Sequence, residues 1–103
     1  MMHREAFVLK LKDGMAEEYK RRHREVWPEM LGFLREAGIR NYSIWQSGGM
    51  LFGYYECDDI QAVEAAKANS DVQKRWNEYM RDVITPVALR SAGNPPERAF
   101  LME

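Results

Sequence analysis

Cysteine, histidine and net charge are all scarce in this chain. Cys57 is the only cysteine among 103 residues, so no intrachain disulfide forms, which is compatible with a reducing compartment. His3 and His23 are the only histidines, and no Cys or His pair has zinc-ligand spacing, so no metal and no cofactor are expected. A net charge of −1 sets up no field that would gather nucleic acid or anionic lipid. The one basic run, Lys20, Arg21, Arg22 and Arg24, reads as a solvated face paired to Glu17, Glu18 and Glu25. Long apolar runs are also missing. The first, Ala6 to Leu9, is too short for a secretory core or a membrane span, so a soluble cytoplasmic protein is expected. Glycine motifs for phosphate are absent as well, because Ser47-Gly48-Gly49 joins two strands and opens no helix.

What the chain does have is aromatics, 12% of residues, including three Trp and five Tyr. At 103 residues it is a single domain, 1–103, with a thin core that dimerisation would help to cover. Glu5 to Leu11 is apolar on both parities and reads as a strand covered on both faces. Asp13 is the expected N-cap of a long helical stretch to about Ala37, which Pro28 should kink or restart near Trp27 and Gly38 should stop. Arg40–Gln46 and Met50–Cys57 form a hairpin around the two glycines. Asp58 and Asp59 cap a helix over Ile60 to about Ala68. Ser70 with Gln73 opens another, which Pro86 ends. After a Gly/Asn/Pro loop at 91–96, Arg98 to Met102 is the expected final strand.

The order β-α-β-β-α-β predicts an α+β fold of the ferredoxin-like split type. Helices cover one face of such a sheet. The other would expose some of Phe7, Leu9, Trp45, Phe52 and Tyr54, according to parity, and sheet-to-sheet packing in a homodimer would bury them.

His23 lies one helical turn after Tyr19 and one before Trp27, which predicts a row of phenol, imidazole and indole. Taken singly, aromatics on an apolar helix face are most often core packing, and a lone histidine there is usually a satisfied core residue. Together they furnish a pocket for a small polyol, with an imidazole able to give and take a proton near neutrality. With no nucleophile signature and no metal set, proton transfer around His23 is the chemistry left by elimination.

Glu18-Tyr19-Lys20-Arg21-Arg22-His23, then Trp27-Pro28-Glu29, Asn41-Tyr42-Ser43-Ile44, Val72-Gln73-Lys74-Arg75-Trp76 with Tyr79-Met80, and Glu97-Arg98-Ala99-Phe100-Leu101 together resemble the L-rhamnose mutarotase family. The resemblance runs from end to end. It implies a ferredoxin-like unit forming a dimeric α/β barrel, with His23 as proton donor and Tyr19 and Tyr42 as sugar-binding residues. Trp76 matches the first of two tandem tryptophans that contact the sugar, and Asn77 stands where some members carry the second. The implied reaction interconverts the α and β anomers of L-rhamnopyranose, in rhamnose catabolism, by acid–base opening and closure of the ring. The implied partners are the sugar and a second copy of the chain, with no nucleic acid and no membrane. Two other readings share the architecture. One is a dimeric-barrel monooxygenase or haem-degrading protein with His23 as an axial ligand. The other is a non-catalytic small-molecule-binding module.

Overall fold

The computed structural model describes residues 2–85 and 97–102. Strand β1 (His3–Lys10) leads through helices α1 (Ala16–Arg24) and α2 (Pro28–Glu36) to strands β2 (Arg40–Ser47) and β3 (Met50–Cys57). Helices α3 (Ile60–Ala68) and α4 (Asp71–Tyr79) follow. The sheet is antiparallel in the order β1-β3-β2.

Pro28 restarts the helix rather than kinking it. Trp27 is extended at φ −63° and ψ 134°, and Pro28 takes the first position of α2, where its missing N–H is no loss. The N-cap expectation fails for α1. Asp13 and Gly14 form a turn, the capping position falls to Met15, and no side chain caps it. Asp59 does cap α3, accepting from the Gln61 and Ala62 amides, while Asp58 pairs with Arg40 at 2.9 Å. Ser70 accepts from the Gln73 amide at 3.1 Å, as its sequence pattern requires.

The hairpin turns over Gly48, whose φ of +59° suits glycine at the first central position. Gly53 serves a different purpose. It stands opposite Phe7 in the β1–β3 register, and a Cβ there would overlap the Phe7 ring. That pairing sends Phe7 and Leu9 to the helix side, where both pack against the core. The opposite parity, Val8, Trp45, Phe52 and Tyr54, faces away from the helices, with Trp45 70% exposed.

The C-terminal end departs from expectation. Helix α4 stops at Tyr79 instead of continuing to Pro86, which lies outside the described residues, as does the 91–96 loop. A turn over residues 80–83 brings Ile84 into an antiparallel bridge with Leu11, and the Thr85 amide donates to the Lys10 carbonyl at 2.8 Å. Residues 97–102 are described but form no strand, and Phe100 and Met102 are largely exposed. The expected fourth strand at Arg98–Met102 is therefore corrected: among the described residues the sheet has three strands. Apolar composition alone makes no strand: without ladder hydrogen bonds to the outer edge of β1 or β2, residues 97–102 stay irregular.

Candidate functional site

Tyr19, near the middle of α1, is buried at the centre of the main core cluster with Leu51, Trp76 and Met80. His23 follows one turn later, half-buried, and its ring stacks on that of Tyr19 with centroids 4.2 Å apart and planes 28° apart. Its Nδ1 lies 3.2 Å from the Tyr19 carbonyl oxygen. Burial pushes the imidazole below its usual value near 6.5, and the bond to the carbonyl partly offsets this.

The indole beside His23 is Trp76 of α4, edge-on at 5.3 Å and 87°. Trp27, which sequence spacing placed there, packs instead behind Trp76 at 5.1 Å and against Tyr79 at 5.4 Å. The break before Pro28 explains the exchange: once α1 ends, the four-residue rule no longer carries Trp27 onto the His23 face.

Tyr42 reaches the same site from the sheet. The pairing of β2 with β3 shifts by a bulge between Arg40 and Ser43, and Asn41 adopts φ +50°, uncommon for a residue with a Cβ. Asn41 donates to Glu56 at 2.7 Å, which holds the bulge. Tyr42 thereby lies on the helix side, against Phe7 at 6.2 Å and Tyr55 at 5.4 Å. Burial pushes its phenol up to about 12, and burial raises that of Tyr19 further, so both remain protonated donors near neutrality.

These side chains line one cavity of about 700 Å³ between the sheet and the helices, within the range of small-molecule sites. Tyr19, His23, Tyr42, Trp76 and Asn77 all border it, while Trp27, the third member of the row that helical spacing predicted, does not. Sequence reasoning missed Gln73, Glu64 and Lys67 on its wall. Gln73 had a legible signal, since it lies one turn before Asn77 and donates to its side-chain oxygen at 2.8 Å. Among the described residues, no three His, Cys, Asp or Glu side chains gather in a way that could hold a metal ion. No helix there is long and apolar enough to cross a membrane.

The family profile described as L-rhamnose mutarotase matches residues 4–103. The chain belongs to the L-rhamnose mutarotase family. An L-rhamnose mutarotase of Lachnoclostridium phytofermentans is 36% identical over 85 residues, 81% of each chain. One from Escherichia coli O1:K1 / APEC is 36% identical over 104 aligned residues, 99% of this chain and 95% of that one. The crystal structure of an L-rhamnose mutarotase from Formosa agariphila superposes with a TM-score of 0.81 at 30% identity, covering 98% and 99% of the two chains. A NIPSNAP-like domain protein from Burkholderia xenovorans, 13% identical with a TM-score of 0.59 over 82% and 77%, shares the fold alone.

Proposed function

We propose that this chain is an isomerase that interconverts the α and β anomers of L-rhamnose. The observation that carries this is the His23 imidazole, stacked on one phenol, edge-on to an indole and facing a second phenol across a sugar-sized cavity. Mutarotation needs a proton taken from the anomeric hydroxyl and one given to the ring oxygen. The C1–C2 bond of the open aldehyde then turns and the ring closes on the other face. His23 supplies the proton to the ring oxygen, and Tyr19 and Tyr42 hold sugar hydroxyls. Trp76 stacks on the C–H face of the ring or its 6-deoxy methyl group, and Asn77 hydrogen-bonds a hydroxyl at the rim.

The working form is a homodimer that forms an α/β barrel in the cytoplasm. Its support is the apolar outer sheet face, where Val8, Trp45, Phe52 and Tyr54 are too much contiguous surface for a small monomer to leave in water.

Saturation-transfer NMR on L-rhamnose at anomeric equilibrium tests the reading. Saturating one anomeric proton should diminish the other in proportion to enzyme, and His23→Ala should abolish the effect. A change in tryptophan fluorescence on adding rhamnose, with exchange remaining at the uncatalysed rate, would make the chain a binding module instead.

A further inference from the structure

The hydrogen bond between His23 and the backbone of its own helix fixes more than the position of the ring. A carbonyl oxygen only accepts, so the Nδ1 facing the Tyr19 carbonyl at 3.2 Å carries the proton. In a neutral imidazole the other nitrogen, Nε2, then bears a lone pair. Among the described residues Nε2 has no hydrogen-bond partner, while the ring borders the cavity. Stacking on Tyr19 and the edge of Trp76 hold the ring plane; turning the ring over would put Cδ2 at the carbonyl and break that bond, and moving the proton to Nε2 would set the Nδ1 lone pair against the carbonyl oxygen.

We propose that His23 enters the reaction as a base, and that the proton it gives to the ring oxygen is the one it has just taken from the anomeric hydroxyl. The inference rests on the mutarotase reading above and deepens it. Nε2 accepts the O1 proton, and the O1 electron pair forms the C1=O1 double bond. The C1–O5 bond breaks with its pair on O5, and the Nε2 proton passes to O5. The sugar is now the open aldehyde, and the imidazole is neutral again. After rotation about C1–C2 the same steps run backwards on the other face. One nitrogen can reach both oxygens because both are bonded to C1, so no second base is required. The phenols of Tyr19 and Tyr42 stay protonated throughout and stabilise the developing negative charge as donors.

The surroundings favour a neutral resting ring. Lys20 and Arg24 of α1 border a second cavity with His23, and Arg35 of α2 borders a third. From α3 come Lys67 and Glu64, and Arg81 follows α4; among the described residues Glu64 is the only carboxylate on the cavity wall. Burial of the ring acts against a charged imidazole, and the bond to the Tyr19 carbonyl offsets this only in part.

Two measurements on the full chain test the proposal. Two-bond ¹H–¹⁵N correlation spectra of the free protein read the tautomer directly, with His3→Gln removing the signals of the other imidazole. The Nδ1–H form is expected at neutral pH. Anomer exchange of L-rhamnose, corrected for the uncatalysed rate, is then followed from about pH 5 to 8, the window in which histidine changes charge. The rate constant should be level at high pH and fall tenfold per pH unit below the His23 midpoint seen by NMR. An Nε2–H tautomer, or a rate that falls as pH rises through that midpoint, overturns the base-first assignment while leaving a mutarotase in place. Absence of exchange at every pH removes the mutarotase reading and the shuttle with it, whatever tautomer the spectra show.

Discussion

His23, Tyr42 and Asn77 each make a separable contribution to the proposed site. His23→Ala is expected to lower the rate of L-rhamnose anomer exchange by about 10²–10⁴-fold, the usual return on one positioned acid–base group. Tyr42→Phe keeps the ring contacts with Phe7 and Tyr55 and removes only the hydroxyl. Exchange should weaken while thermal stability changes by about 1 kcal/mol or less, since the phenol has no protein partner among the described residues. Substitution of Asn77 tests substrate choice. Asn77→Leu removes an amide that Gln73 orients at the cavity rim. A change in the ratio of kcat/KM between L-rhamnose and its 6-hydroxy counterpart is expected, within the about 10–200-fold span of small-group recognition. An unchanged ratio would mean that Asn77 merely faces solvent.

The bulge in β2 and the anchor between α1 and α4 act as structural elements rather than as individual contacts. Asn41 at φ +50° lets two residues oppose one and so aims Tyr42 at the helices. Asn41→Val should cost about 1–2 kcal/mol, because a β-branched side chain pays the left-handed backbone penalty that asparagine largely escapes, and should lower activity through Tyr42. Asn41→Gly should restore most of the stability, as equilibrium unfolding would show. Arg22 ties α1 to the turn after α4. It pairs with Glu18 at 2.6 Å and Asp82 at 2.9 Å, donates to the Tyr79 carbonyl at 2.6 Å and lies 4.5 Å over the Tyr79 ring. Hydrogen bonds from Arg21 and Arg22 hold the Glu18 carboxyl at about 2, well below its ordinary 4.5. A carboxyl depressed in the folded state stabilises it above its unfolded value and loses that contribution as pH falls. The Tm of the wild-type protein should therefore fall towards that of Glu18→Gln between pH 4.5 and about 2, and exceed it above that window.

At the scale of the whole molecule, the outer face of the sheet is where the proposed dimer would pack. Phe52→Glu places a carboxylate at the middle of the central strand, on the face turned from the helices and away from the cavity. Sedimentation velocity should show the wild-type chain as a dimer and the variant as a monomer. A wild-type monomer at micromolar concentration would remove the dimer proposal without touching the cavity residues of one chain.

Short-range rules made much of this protein legible from its residues. Helix periodicity brought Tyr19 and His23 together, the Ser70 and Asp59 caps opened α4 and α3, and the paired glycines closed the hairpin. Each depends on neighbours within one turn, so local chemistry suffices. The tertiary structure decided what depends on contacts between distant segments. Trp76 rather than Trp27 lies beside His23, because α1 ends before Trp27 and α4 packs across the gap. A register shift against β3 turns Tyr42 inward, and the match of Phe7 to Gly53 sets which sheet face is open. Arg98–Met102 is apolar enough for a strand, yet a strand also needs a partner edge, and composition cannot say whether one is near. The residue types of the site are thus written in the sequence, while their meeting is set by packing and register across the fold.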